Sequence, residues 1–269
     1  MAERLYLGID VGTGSARAGL FDAAGIRRGM GVEPIQMWRP EDDYAEQSSA
    51  DIWRACGRAV RQALAEAGVG GDDVAGIGFD ATCSLVVLGE DDTPLSVSPG
   101  GPAEQNVIVW MDHRAVEEAE RMTATGHDVL EYVGGTMSPE MQMPKLAWLK
   151  AHHPSTWQKA TRFFDLPDYL SYRATGIDTR SSCTTTCKWT YLAHERAQDG
   201  SRGRWAPDFL AQVGLADLAA DGFARIGADV REVGARIGRL TASSAEELGL
   251  VPGIPVASSI IDAHAGGLG

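Results

Sequence analysis

The chain has 269 residues, of which 44% are apolar, and it carries a formal net charge of -13 at pH 7. This length and apolar content suffice to bury a core, as one large domain or two small ones. The acidic balance disfavours binding to nucleic acid or to a membrane surface, because a negative surface repels phosphate groups. The sequence shows neither a signal peptide nor the roughly 20 consecutive apolar residues of a membrane span, so we expect a cytoplasmic protein.

The four cysteines are too sparse for a disulfide scaffold, which also favours a reducing, cytoplasmic setting. Cys183 and Cys187 have the spacing of a metal-ligand pair. A zinc site needs further ligands, and the sequence offers neither a second pair nor a neighbouring histidine. We therefore interpret Cys183 and Cys187 as structural or pocket-lining thiols.

The first elements in chain order are three strands and a helix. Two apolar runs, residues 4–10 and 17–22, flank a glycine-containing turn, which predicts a β-hairpin. A third strand is expected within residues 26–37, giving an antiparallel meander. A helix capped at residues 49–51 should then run to about residue 67, since apolar side chains recur there at helical spacing.

The rest of the chain alternates between strand and helix patterns. Residues 74–80 are nearly all apolar, as in a buried parallel strand. We predict further strands at 85–88 and 107–111, helices at 114–123, 142–152, 166–174, 207–213 and 242–248, a long irregular loop region at 176–206, and a final strand running into a glycine-rich turn. This mixture indicates an α/β architecture.

An aspartate and a glycine-rich turn follow the first predicted strand. Asp10 precedes Gly12, Thr13, Gly14 and Ser15. Glycine lets backbone N–H groups approach phosphate oxygens, hydroxyls add donors, and an aspartate can hold hydrated Mg²⁺. The spacing matches neither a Walker loop nor a dinucleotide-binding motif. An ordinary glycine hairpin explains the isolated turn equally well.

Polar side chains also follow later predicted strands. They are Thr82 and Cys83 after one strand, Asp112 and His113 after the next, and Lys188 among threonines beside a tryptophan. Such groups suit a polyol ligand, because open α/β sheets bind ligands at the carboxyl ends of their strands. Turns, a helix cap and a solvent-exposed lysine would account for the same residues without a ligand.

Asp262 stands between the last predicted strand and the start of a helix. A carboxylate in that position can act as a general base that accepts a hydroxyl proton during phosphoryl transfer. Taken alone, an aspartate before small helix-forming residues is more simply a helix N-cap.

In this order the motifs resemble those of the FGGY carbohydrate kinase family. LGIDVGTGSARAGLFD resembles its first phosphate motif, and IIDAHAGG resembles the segment that holds its catalytic base. GFDATCSLVVL, WMDHRA and MQMPKLAWLK look most like the ribulokinase branch, in particular D-ribulose kinases. The resemblance covers residues 1–269 as the family's N-terminal sugar-binding domain, which implies that the C-terminal ATP-binding domain is absent from this chain.

The resemblance implies an α/β fold of the actin-like ATPase (ribonuclease H-like) type, as the N-terminal lobe of a two-lobe sugar kinase. It implies ATP and Mg²⁺ as cofactors, and a catalytic base at Asp262. The residues facing the ATP phosphates would be Asp10, which also binds the metal, Gly12, Thr13, Gly14, Ser15 and Arg17. The residues lining the sugar pocket would be Thr82, Cys83, Asp112, His113 and Lys188.

The implied reaction is phosphorylation of the terminal hydroxyl of a pentulose, with D-ribulose favoured. L-Ribulose, ribitol, xylulose and glycerol stay open as substrates, because one sequence does not fix the geometry of the pocket. An actin- or chaperone-like ATPase would share the first phosphate turn but would not need the WMDHRA segment or Asp262. A non-catalytic sugar-binding module is a third alternative. A homodimer stays open, and we expect this chain alone to be inactive.

Overall fold

Strands and helices alternate along the structure, a computed structural model that describes residues 4–196 and 202–268. The strands in this part of the chain are β1 (Leu5–Val11), β2 (Ser15–Phe21), β3 (Arg27–Pro34), β4 (Glu46–Gln47), β5 (Val74–Ala81), β6 (Leu85–Leu88), β7 (Val107–Ile108), β8 (Arg162–Asp165), β9 (Arg180–Ser181), β10 (Leu192–Arg196), β11 (Arg202–Arg204), β12 (Val230–Arg231), β13 (Arg236–Arg239), β14 (Pro255–Ala257) and β15 (Ile260–Ile261). The helices are α1 (Ser49–Ala67), α2 (Val116–Thr123), α3 (Gln142–His152), α4 (Pro154–Lys159), α5 (Leu166–Thr175), α6 (Ser182–Lys188), α7 (Pro207–Gln212), α8 (Ala216–Ala220), α9 (Ala242–Leu248) and α10 (Asp262–Leu268).

A seven-stranded mixed sheet positions the site. Its order is β13-β14-β5-β1-β2-β3, with β15 also paired to β5. Strands β1, β2 and β3 form the predicted antiparallel meander, and β5 lies parallel to β1 on its other side. Both β14 and β15 run parallel to β5. The carboxyl ends of β1, β5 and β15 therefore meet at one edge of the sheet.

Helix α1 packs across the meander. The Ser48 hydroxyl accepts a hydrogen bond from the Asp51 amide at its start, and Gly68 ends it in the left-handed conformation. Two glycines of β3 allow the close approach: a Cβ at Gly31 would overlap the carbonyl oxygen of Ala59, and one at Gly29 would overlap that of Ala63. The fit between α1 and β3 thus depends on backbone contact.

A second, four-stranded sheet in the order β4-β7-β6-β8 joins two hydrophobic clusters. Because side chains alternate along a strand, Val86 and Leu88 of β6 face the cluster under the large sheet. Leu85 and Val87 face the other cluster, which collects side chains of α2, α3 and α7. Strand β8 divides in the same way, with Phe164 in the first cluster and Phe163 in the second.

Most predicted elements are confirmed, and three are wrong. The glycine-rich turn expected after the final strand is helix α10, which begins at Asp262. The strand expected at 107–111 is shorter, because the chain turns after Ile108. The irregular loop expected at 176–206 contains α6 and strands β9, β10 and β11, and residues 197–201 lie outside the described residues. No helix in the described part of the chain is both long and apolar enough to cross a membrane.

Candidate active site

Three carboxylates gather at the carboxyl edge of the large sheet. Asp10 of β1 and Asp80 of β5 are register partners, and Asp80 also pairs with Ile260, two residues before Asp262. The pKa of Asp80 is raised to about 7, chiefly by partial burial and then by the negative charge and hydrogen bond of Asp10 and the charge of Asp262. Neighbouring carboxylates that compete for a proton also suit a divalent cation, since a cation would remove their repulsion.

A pocket of about 490 Å³ opens beside these carboxylates. Four of the residues predicted for sugar and catalysis line it, namely Thr82, Cys83, Lys188 and Asp262. Thr13 of the glycine-rich turn lies on the same pocket wall. Burial raises the pKa of the Cys83 thiol, so this part of the wall is neutral at physiological pH. The structure therefore brings together residues from four separate segments of the chain.

Two side chains donate hydrogen bonds to Thr13 of the glycine-rich turn. Gln47 Nε2 donates to the carbonyl oxygen of Thr13 (2.8 Å), and Trp110 Nε1 donates to its hydroxyl (3.0 Å). The Gly12 amide donates to the carbonyl oxygen of Ser15 (3.0 Å), and this hydrogen bond closes the turn between β1 and β2. The turn is therefore fixed before any ligand arrives.

The predicted metal ligand and the basic residue after the turn form an ion pair. Arg17 Nη1 donates to Asp10 Oδ2 (2.6 Å), and both side chains are partly exposed. With Asp80 they line an adjoining hollow of about 680 Å³ on the sheet. Arg17 thus stands next to the carboxylate pair, where it can also meet an anionic ligand.

Asp112 does not line the pocket, which corrects its predicted role in sugar binding. Its side chain is fully buried and bonded on both oxygens: Arg114 Nε donates to Oδ1 and Arg114 Nη2 to Oδ2 (2.8 Å each), and the Ala45 amide donates to Oδ2 (2.6 Å). Arg114 also pairs with buried Glu46 (2.8 Å) and stacks on Tyr44. A buried charge is stable only when it is paired, and these contacts supply the pairing. Asp112 thereby supports the segment that carries Trp110.

His113, also predicted for the sugar, lies outside the pocket wall. Its ring is exposed and its Nε2 lies 3.3 Å from Glu140 Oε1, and Glu140 itself lines the pocket. Lys145 supports the same region from inside, since its Nζ donates to the carbonyl oxygens of Val109 and Trp110 (3.0 and 3.1 Å). Burial lowers the pKa of Lys145 to about 8.

A cluster of two thiols and one imidazole lies at the pocket, which the sequence did not predict. Cys183 and Cys187 of α6 do have a histidine neighbour, because His264 of α10 approaches them from the far end of the chain. The hydrogen bond from Cys183, with His264 and Lys188, lowers the pKa of Cys187 to about 6 against the opposing effect of burial. The prediction that Cys183 and Cys187 have no neighbouring histidine is therefore wrong.

Several residues of the site were not among the predicted site residues. Trp110 and Asp80 stand inside segments already noted for polar neighbours, and the strand-end position was the signal for both. Glu140 and His264 carried no local signal, because each reaches the pocket through contacts distant in sequence.

Comparison with known proteins gives the family. The model of the FGGY family of carbohydrate kinases, N-terminal domain, matches residues 5–269. An FGGY carbohydrate kinase domain-containing protein of Homo sapiens is 49% identical, over 99% of this chain and 47% of that protein. A D-ribulokinase of Saccharomyces cerevisiae is 41% identical, over 99% of this chain and 38% of that protein. The crystal structure of xylulose kinase from Rhodospirillum rubrum has a TM-score of 0.80 at 20% identity, covering 98% of this chain and 50% of that one.

These matches differ in what they establish. The chain spans about half the length of the relatives it matches, 47% of the human protein. The likeness to the xylulose kinase structure shows the fold, and the predicted actin-like α/β architecture is confirmed. The family model extends over nearly the whole sequence, from the first strand to the last described helix. The chain belongs to the FGGY family of carbohydrate kinases and matches its N-terminal domain.

Proposed function

We propose that this chain forms the sugar-binding half of an ATP-dependent pentulose kinase that converts D-ribulose to D-ribulose 5-phosphate. The observation that carries the proposal is the pocket in which Asp262 stands beside Thr82, Lys188 and the glycine-rich turn at Thr13. A base, hydroxyl-binding groups and a phosphate-binding turn are the groups that such a transfer requires in one place. The 41% identity to a D-ribulokinase supports D-ribulose as the sugar.

In this reaction Asp262 accepts the proton of the terminal (C5) hydroxyl of the sugar. The hydroxyl oxygen attacks the γ-phosphorus of ATP in line, a new oxygen–phosphorus bond forms, and the bond to the leaving ADP oxygen breaks. Lys188 and the Thr82 hydroxyl hold the sugar by hydrogen bonds, which keeps the attacking oxygen aligned. Little covalent chemistry is left to the protein, so alignment and charge stabilisation supply the rate.

The phosphate side of the site fits ATP with Mg²⁺. Asp10 and Asp80 would hold the cation, because their mutual repulsion is the kind that a divalent ion relieves. Bound Mg²⁺ would neutralise charge on the phosphates. The Gly12 amide already donates to the Ser15 carbonyl oxygen, so Gly12 would serve the predicted phosphate site by shaping the turn, and the Gly14 amide would approach the phosphate oxygens. The hydroxyls of Thr13 and Ser15 would add donors, with Arg17 beside Asp10.

The same pocket leaves other polyols as competing substrates within one enzyme class. L-Ribulose, ribitol, xylulose and glycerol all present a terminal hydroxyl to Asp262.

All four cysteines are unpaired thiols, in keeping with a reducing compartment, and we place the protein in the cytoplasm on that ground. Whether the kinase is a homodimer stays a prediction.

The first test is thermal stabilisation of this chain by a panel of pentuloses, pentitols and glycerol without nucleotide. A ligand that binds the folded state alone stabilises it by about 2.7 kcal/mol at a hundred times its Kd. We expect the largest rise in Tm with D-ribulose. A larger rise with another polyol would change the substrate but keep the kinase. Unchanged Tm with every sugar, together with absent D-ribulose-dependent ADP formation by the full-length protein, would overturn the proposal.

A further inference from the structure

Two thiols and one imidazole meet at the pocket, where Cys187 and His264 form part of the wall and Cys183 lies beside them. Cys183 and Cys187 stand four residues apart, on one face of α6, and His264 comes from α10. His264 Nδ1 lies 3.0 Å from Cys183 Sγ, and its Nε2 lies 3.9 Å from Cys187 Sγ. One ligand atom from each residue lies within 4.8 Å of the others. The phosphoryl-transfer chemistry described above uses none of these three side chains.

We propose that Cys183, Cys187 and His264 bind a thiophilic divalent cation of the zinc class, with a fourth coordination position open to the pocket. Thiolate and imidazole select such ions, whereas Mg²⁺ prefers oxygen ligands. A tetrahedral zinc ion with Zn–S and Zn–N bonds near 2.3 and 2.0 Å needs the two sulfur atoms about 3.8 Å apart and the nitrogen about 3.5 Å from each sulfur. The ligand atoms lie within 4.8 Å of one another, so side-chain rotation has to shorten the longest separation by about 1 Å at most.

The two elements that supply the ligands are tied together beneath the cluster. Buried Asp168 is the link: its Oδ2 accepts from the Thr184 hydroxyl of α6 (2.6 Å), and its Oδ1 accepts from the Ser259 hydroxyl just before β15 (2.9 Å). The Ser181 hydroxyl at the start of α6 donates to the Ser259 carbonyl oxygen (2.6 Å). The ligands therefore stand on a preformed scaffold, which reduces the entropy lost when an ion binds.

Access and coordination number follow from the exposure of the cluster. His264 is exposed and both thiols are half-buried, so an ion can enter from the pocket side. Three protein ligands and an open position are the pattern of a zinc ion that still exchanges its fourth ligand. Cys187 and His264 also line the pocket of Asp262, so the cation and any ligand of that pocket compete for space.

The test is titration of this chain with Co²⁺ under reducing conditions, followed by displacement with Zn²⁺. Cobalt bound by thiolate gives an intense near-ultraviolet charge-transfer band, which reports ligand identity and does not depend on kinase activity. We expect one ion per chain. Cys183→Ser, Cys187→Ser and His264→Gln should each weaken binding by at least the roughly 10–100-fold that loss of an outer-shell partner already costs.

Cys83→Ser is the matched control, because Cys83 is a thiol of the same pocket but does not belong to the cluster. It should keep the band and the affinity. Circular dichroism of each variant separates loss of a ligand from loss of the fold. The proposal is overturned if the parent chain shows no charge-transfer band, or if folded variants of all three residues bind as tightly as the parent.

Discussion

Among single residues, Asp262 carries the greatest part of the proposed chemistry. Its carboxylate follows directly on β15, and the Ala263 amide donates to its Oδ1 (2.7 Å), which holds the side chain at the pocket. General-base catalysis contributes about 10²–10⁴-fold to turnover. We predict that Asp262→Asn in the full-length protein lowers kcat by a factor in that range with sugar affinity nearly kept, measured as sugar-dependent ADP release.

Glu140→Gln is a suitable control for that variant, since it removes one negative charge from the same pocket. If kcat falls equally in both variants, the effect comes from pocket charge and not from a base. Near-normal turnover of Asp262→Asn would remove Asp262 from the role altogether.

The candidate site residues that local sequence could reveal are those at strand ends. Asp10 lies near the end of β1, and Thr82 and Asp262 directly follow β5 and β15. Parallel strands bring such ends to one edge of a sheet. Asp112 shows the same pattern but does not reach the pocket. Its buried oxygens bind the guanidinium of Arg114 and the backbone amide of Ala45, which lies 67 residues earlier. His264 reached the cysteines across 77 residues or more, a distance over which spacing carries no information.

At the scale of elements, the approach of α1 to β3 sets the geometry under the glycine-rich turn. Gly31→Ala places a Cβ against the Ala59 carbonyl oxygen and close to the Gln62 side chain. Because backbone cannot rotate away, we predict a loss of about 1–3 kcal/mol in the free energy of unfolding, the usual cost of overpacking. Urea denaturation measures it.

Gly8→Ala provides the comparison, since Gly8 lies in β1 of the same sheet and its Cβ would meet nothing within 4 Å. A strand glycine replaced by alanine without a clash should keep or raise stability, because the unfolded chain loses freedom. Equal losses in the two variants would show that the sheet tolerates no Cβ in general, and that the helix contact is not the cause.

Elements were predictable where one local pattern dominated. The meander and α1 have clear alternation, caps and turns. Helix α6 was hidden, because threonines and cysteines are weak helix formers and five of them in a row occupy its seven residues. It forms because Ser181 caps it through the Cys183 amide (3.2 Å) and the Thr184 hydroxyl reaches Asp168. Tertiary contacts, which a window of sequence does not contain, decided this element.

At the scale of the whole molecule, buried carboxyl groups link stability to pH. Burial, together with the charge of Asp168, raises the pKa of Asp165 from its ordinary 3.8 to about 7. Hydrogen bonds from Gln142 and Trp189 (3.0 and 2.9 Å) oppose the rise, but both bind Oδ2, and Oδ1 has no hydrogen-bond partner among the described residues. The folded state thus favours the neutral acid.

The sign of the effect follows from proton counting. Between about pH 4 and 7 the folded chain holds a proton on Asp165 that the unfolded chain has released, so the free energy of unfolding falls as the pH rises, by at most about 1.4 kcal/mol per pH unit. Asp80 acts in the same direction. We predict that Asp165→Asn makes the free energy of unfolding depend less steeply on pH, by the equivalent of about one bound proton. Glu104→Gln, on an exposed side chain, should leave this pH dependence unchanged. Urea denaturation at pH 5, 6 and 7 would contradict this if the Asn variant kept the parent slope, because Asp165 would then be charged in the folded chain.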